Sequence, residues 1–219
     1  MRVVSPAQST LYTITVNGDG GEASASFQVN VTAPPPPPSS GIVVISQIYG
    51  GGGNSGATHR NDFVELFNRG ASPTDISGWT LQYASATESG WSATPLSGVI
   101  LPGQYYLIQE GTGQSGDGVQ LPTPDAAGGI GLSAASGKVA LVSGSPLLSG
   151  SAPSDPRIVD FVGYGSANFA EGAGASRLSN TTAITRAGGG CVDTNNNGSD
   201  FTRGAPSPRN SASPHSPCN

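Results

Sequence analysis

Apolar and polar residues alternate from the first strand-like stretch of the chain. In "STLYTITV", Tyr12, Ile14 and Val16 fall on one face and Leu11, Thr13 and Thr15 on the other. A period of two is the pattern of a strand with one buried face. "ASASFQVNV" repeats it, with Phe27, Val29 and Val31 on one side, and "NGDGG" between the two is turn chemistry. Residues 1–33 therefore predict a β-hairpin, the closing fragment of an immunoglobulin-type sheet. Two strands alone bury little and carry two unpaired edges, so the hairpin needs strands from elsewhere.

"APPPPPSSG" follows, and its residues 34–40 predict a stiff polyproline linker. Beyond it, residues 41–219 predict one larger domain. Its strand candidates are 42–49, 62–68, 78–84, 104–109, 138–142 and 157–164, with shorter ones near 97–101, 130–132 and 176–186. "IVVISQIY" and "YYLIQ" are apolar on nearly both faces, as central strands are, and "GWTLQY" sets Trp79, Leu81 and Tyr83 against a polar face. Successive strands with no helix between them predict an all-β, immunoglobulin-like antiparallel β-sandwich.

Composition agrees. Gly and Pro number 33 and 18, charged residues are 11% of the chain, and Lys138 is the only lysine. Short strands joined by polar turns use residues this way, and exposed helices do not. The net charge is -5 and the arginines are scattered, which gives no basic stripe for a nucleic acid. No apolar run is long enough to span a membrane. No charged-then-apolar leader follows Met1, so a secreted chain would have lost one or be part of a longer protein.

The two cysteines, Cys191 and Cys218, predict a disulfide in a chain so poor in lysine and rich in Ser, Thr, Gly and Asn. It would close a loop of about 28 residues, worth roughly 3–4 kcal/mol on the chain-entropy model. The enclosed stretch has almost no apolar content to hold it down. This places the protein outside the cell.

"YGGGGNSGATHRNDFVELFN", residues 49–68, raises the question of a phosphate loop. Such a loop must open a helix, whose N-terminal N–H groups hold the anion. Here the glycines lead into a strand and no Gly-Lys-Ser/Thr follows, so the segment predicts a flexible strand connection. Glu65, between Phe63 and Phe67, predicts a carboxylate on a half-exposed face, paired with Arg60 or Arg69. His59 and His215 have no GxSxG serine to serve, and Asp75, Asp125, Asp155 and Asp160 show no paired spacing for acid-base work. Zinc lacks a ligand set. The chain predicts no enzyme.

One motif carries ligand chemistry. "DTNNNGSD" fits the first half of an EF-hand calcium loop, with Asp193, Asn195, Asn197, the Ser199 carbonyl and Asp200 as oxygen ligands. The twelfth position is Gly204, so the bidentate glutamate is missing. The alternative is an Asn/Gly-rich surface loop beside the disulfide. Asn30, Asn180 and Asn197 begin glycosylation triplets, and the proline stretch suits O-linked sugars.

The order of segments is similar to the lamin tail domain in its secreted bacterial form. "VVISQIYGGGGNSG" resembles the opening strand and loop, and "VELFN…DISGWTL" carries the strongest likeness. "LPGQYYLIQ", "GKVALV" and "DFVGYG" resemble the later strands, and "DFTRGAPSPRN" the closing segment. The likeness runs from residue 42 to about 211, with extra length around 111–130 and 145–155. It implies an immunoglobulin-like sandwich without catalytic residues, found in bacteria as an accessory module on extracellular proteins, some of them nucleases or phosphatases. Two functions follow. The first is a structural, self-associating extracellular or cell-surface subunit whose hairpin adds strands to a neighbouring copy, forming a filament. The second is an accessory binding module of a secreted hydrolase or adhesin, reading its ligand through loops 50–61 and 111–130.

Overall fold

The structure, a computed structural model, describes residues 10–29 and 42–218. The chain divides into two compact units, Met1–Pro35 and Pro36–Asn219. The linker expected at 34–40 lies outside the described residues, as do Asn30 and Val31.

In the first unit β1 (Thr10–Gly18) and β2 (Gly21–Val29) form an antiparallel hairpin around Asp19 and Gly20. Tyr12 lies opposite Phe27, Ile14 opposite Ala25 and Val16 opposite Ala23. The register thus puts Tyr12, Ile14, Val16 and Phe27 on one face and Leu11 on the other, and the Tyr12 and Phe27 rings stack at 5.4 Å. No third strand joins this pair among the described residues.

The second unit contains β3 (Val43–Tyr49), β4 (Phe63–Asn68), β5 (Thr74–Asp75), β6 (Thr80–Ser85), β7 (Ser92–Pro95), β8 (Val99–Ile100) and β9 (Tyr105–Gln109). It continues with β10 (Ala126–Ala127), β11 (Gly137–Val142), β12 (Ile158–Tyr164), β13 (Ala183–Arg186) and β14 (Phe201–Gly204), and a one-turn helix α1 (Asn197–Asp200) precedes β14. A six-stranded sheet runs β10-β9-β4-β3-β13-β14, and a four-stranded sheet runs β12-β11-β6-β7. All pairs are antiparallel except β10 with β9, and β5 pairs with β8 apart from both sheets. The immunoglobulin-like sandwich expected from the pattern is present. β5, β7, β10 and β14 were not anticipated, residues 130–132 form no strand, and only Ala183–Arg186 of 176–186 does.

The core lies between the sheets. Val43, Ile45, Ile48, Val64, Leu66 and Ile108 of the larger sheet meet Leu81, Tyr83, Val139, Leu141, Val162 and Tyr164 of the smaller. A bulge at Ser46 shifts the β3–β4 register, so Ile45 and Ile48 both point inward although three apart. The outer faces are also covered. Tyr49, Phe63 and Leu107 form one patch on the larger sheet, and Val44, Phe67 and Tyr105 another. On the smaller sheet, Trp91, Phe161, Phe169 and Leu148 pack over Ala84, Ala140 and Val142. This corrects two expectations. Trp79 is only partly buried, at the margin of the core. The polar face of β6 is not solvent-facing: Thr80 and Gln82 are buried and donate to the carbonyls of Gly144 and Pro146.

Candidate functional site

The glycine loop after β3 is a packed corner, not a flexible link. Gly50 to Gly53 are all buried. A Cβ on Gly50 would stand 2.5 Å from the Ser133 carbonyl oxygen, and one on Gly51 2.5 Å from the Asn180 Cα. Asp62 takes the place an anion would need. Its carboxylate accepts from the Gly52 N–H and the Leu132 N–H, both at 2.8 Å. Burial lifts this carboxyl to about 7. His59 is buried edge-on against Tyr49 and Phe63, and desolvation lowers its pKa.

Glu65 is fully buried, and its partner is neither Arg60 nor Arg69. Arg209 reaches it from the C-terminal segment, with Nη2 at 2.7 Å and Nε at 3.1 Å, while the Ser46 hydroxyl donates to it at 2.5 Å. Burial pushes the Glu65 carboxyl up, against the pull of Arg209. The Arg209 guanidinium lies 3.6 Å over the Tyr105 ring. Residues 207–218 form a strap over the outer face of the larger sheet. Ser207 exchanges hydrogen bonds with Gln47, Ser211 bonds Asp125, and the Ser216 N–H donates to the Gly103 carbonyl. The Cys191–Cys218 disulfide, with Cα atoms 5.6 Å apart, anchors its end.

The densest polar cluster lies at one margin of the sandwich, around Arg186 of β13. Its guanidinium is fully buried and donates to both oxygens of Asp160 on β12, at 3.0 and 2.8 Å. It also reaches Asp193 at 3.0 Å, Asp200 at 3.5 Å and the Ile45 carbonyl at 2.8 Å. Arg69 pairs with the other Asp193 oxygen at 3.0 Å. Burial pushes the Asp160 carboxyl up, opposed by the Arg186 charge.

The predicted calcium-loop residues divide between two tasks here. Asp193 and Asp200 turn to Arg186, and Asp200 also accepts from the Thr194 N–H and hydroxyl at 2.8 and 2.6 Å. Asn197 is fully buried. Its amide oxygen accepts from the Gly163 and Glu171 N–H groups, and its amide nitrogen donates to the Phe161 carbonyl and Glu171 Oε2. So committed, Asn197 is no glycan acceptor in the folded protein. The Ser199 hydroxyl donates to the Asn196 carbonyl, and Asn195 sits at a φ of 58°. Asn197 thereby fixes Glu171, a residue not singled out in the sequence. Glu171 is fully buried, and burial together with the Asp160 and Asp193 charges lifts its carboxyl to about 9. One carboxylate oxygen each from Asp160, Glu171 and Asp193 lie within 4.8 Å of one another. Only the spacing of "DTNNNGSD" pointed here, because Asp160 and Glu171 come from other segments.

A separate groove of about 560 Å³ opens where two long loops meet, lined by Arg60, Asn61, Gln109, Thr112, Gln120 and Leu121 among others. No helix among the described residues is long and apolar enough to cross a membrane.

Two packed antiparallel sheets, outer faces covered by loops, and polar groups occupied with holding those loops define an immunoglobulin-like β-sandwich module. Residues 36–166 match the Lamin Tail Domain model, and the chain belongs to that family. No curated protein matches it. Among solved structures it is similar to the crystal structure of a DUF4876 family protein from Bacteroides thetaiotaomicron VPI-5482, at 14% identity and a TM-score of 0.46, over 92% of this chain and 85% of that one.

Proposed function

We propose that this protein is a non-catalytic extracellular interaction module that self-associates through its N-terminal hairpin. The observation that carries the reading is the amphipathic two-stranded sheet formed by β1 and β2. Ile14, Val16 and Phe27 share one face and are 57%, 62% and 47% exposed. An apolar face of this kind marks an interaction surface, and an isolated hairpin is marginal without one. Strand addition to a neighbouring copy would pair the free edges by main-chain hydrogen bonds. Head-to-tail repetition of that contact builds an open filament.

The test compares the full chain with a chain lacking residues 1–33, by analytical ultracentrifugation and negative-stain electron microscopy. The full chain is expected to form concentration-dependent polymers and the truncated one soluble monomers. Equal assembly of both, or a monodisperse full-length monomer, overturns the reading. The groove beside Arg60 favours a second reading, an accessory module that binds a polar ligand. Both loops named for that role in the sequence contribute to it, and its lining is rich in amide side chains. A Gln109→Ala, Gln120→Ala variant that folds normally and loses retention on a glycan or cell-wall matrix supports this reading, and unchanged retention removes it.

A further inference from the structure

We infer that Asp160, Glu171 and Asp193 form a calcium site that ties three separate segments of the sandwich together. The Glu171 carboxylate provides the first argument. Its Oε2 accepts from Asn197, but its Oε1 is buried with no hydrogen-bond partner. A buried polar oxygen left without a partner costs about 1–3 kcal/mol, and more when charged, so native structures rarely keep one. A cation held between Oε1 and the neighbouring Asp160 and Asp193 oxygens would supply that partner.

Charge balance provides the second argument. Asp160, Glu171, Asp193 and Asp200 are four acidic groups gathered around two guanidiniums, Arg186 and Arg69. The acidic groups outnumber the guanidiniums by two, an excess that Glu171 meets in part by holding a proton in the unliganded protein and that a divalent ion would meet when bound.

The donor set selects the metal. It contains only oxygen, with no His or Cys, which suits a hard cation. The three oxygens lie within 4.8 Å of one another, close enough for one ion to touch all three, and calcium tolerates an irregular oxygen shell where magnesium demands a near-ideal octahedron. Three carboxylates do not fill a calcium shell of six to eight oxygens, so nearby carbonyls or water complete it. The site differs from the linear loop read in the sequence. It keeps Asp193 and takes its other carboxylates from β12 and from the segment that Asn197 clamps.

Full-length protein is dialysed against chelator, then titrated with calcium chloride by calorimetry and melted with and without the ion. One calcium per chain is expected. The melting temperature is expected to rise by roughly 5–10 °C at about 100 times Kd, and equal magnesium should give a markedly smaller rise. Glu171→Gln keeps the shape and the Asn197 contact, and is expected to lose at least about tenfold in affinity. Wild type that binds no calcium, or Glu171→Gln that binds it unchanged, overturns the assignment. Should Glu171→Gln not fold, hydrogen exchange of wild type decides. Calcium is expected to slow exchange together at residues 158–162, 169–173 and 191–196, and slowing elsewhere alone overturns the site.

Discussion

Arg186→Met is the most informative perturbation of the sandwich. The methionine keeps most of the apolar stem and deletes the guanidinium. Asp160 and Asp193, both with side chains fully buried, then lose their common cation. Asp160 keeps only the Ile45 and Phe161 N–H donors, at 2.6 and 3.0 Å. Breaking a buried ion pair by removing one partner typically costs about 3–5 kcal/mol, because the remaining charge stays desolvated. Against a total stability on the order of 5–15 kcal/mol this is a large fraction. For a chain of this size it corresponds to a fall in melting temperature of roughly 6–20 °C. The assay is urea denaturation and calorimetry in chelator, so that the ion pair alone is read. Adding Asp160→Leu to Arg186→Met removes the orphaned charge, and the double variant is expected to be more stable than the sum of the single losses predicts, by about 1–3 kcal/mol. If Arg186→Met stays within about 1 kcal/mol of wild type, or the two changes simply add, Arg186 is not the centre of this network.

Lys138→Met should destabilise by about 1–3 kcal/mol in urea, because Lys138 Nζ donates to the Glu88 and Ser151 carbonyls at 2.8 Å and to Asn168 Oδ1 at 3.0 Å; an unchanged midpoint would show those loops do not depend on it. Replacing Cys191 and Cys218 with serine should cost about 3–4 kcal/mol on the chain-entropy model and speed hydrogen exchange in residues 207–218, whereas a strap still protected without the bridge would mean that the Arg209–Glu65 pair and the strap's hydrogen bonds hold it without the disulfide. Asp62 sets a pH dependence. Its folded carboxyl is lifted from 3.8 to about 7, so the folded state keeps a proton that the unfolded chain releases, and stability falls as pH rises from about 4 to 7 by up to about 1.4 kcal/mol per unit. Asp62→Asn should flatten the melting temperature against pH over that window, and an unaltered slope would assign the titration to another group.

The strands were legible where pattern alone decides them. β3, β4, β6, β9, β11 and β12 carry long apolar runs or clear alternation, and each falls within two residues of its predicted start. The two-residue strands β5 and β10 carry no such pattern, since they exist only because a neighbouring strand offers its edge. The polar partners were hidden for a related reason. Glu65 meets Arg209 at a separation of 144 residues, and Gln82 meets Leu148 at 66. A carboxylate between two phenylalanines reads as surface when the segment that will cover it lies at the far end of the chain. The Asn-rich run did announce a cluster of oxygen donors, but its amide and carboxylates face β12 and β13, which no local spacing could show.

The same residues explain how a chain with so little charge holds long, glycine-rich loops. The protein has 9 basic and 14 acidic residues, yet among the described residues eight of these are buried: Asp62, Glu65, Glu110, Lys138, Asp160, Glu171, Arg186 and Asp200. Nearly all of them fasten a loop to a sheet or to another loop. Asp62 holds the Gly52 corner and Leu132, while Glu110 holds Thr94 and Ile130. Glu65 holds the C-terminal strap, Lys138 three loops of the smaller sheet, and Arg186 the turn before β14. Loops made of Gly, Ser and Pro bury too little apolar surface to stay down by packing, and each ordered residue costs about 1–2 kcal/mol of backbone entropy. A buried charge bonded to two or three main-chain groups offsets part of that cost and, unlike apolar packing, works at only one geometry.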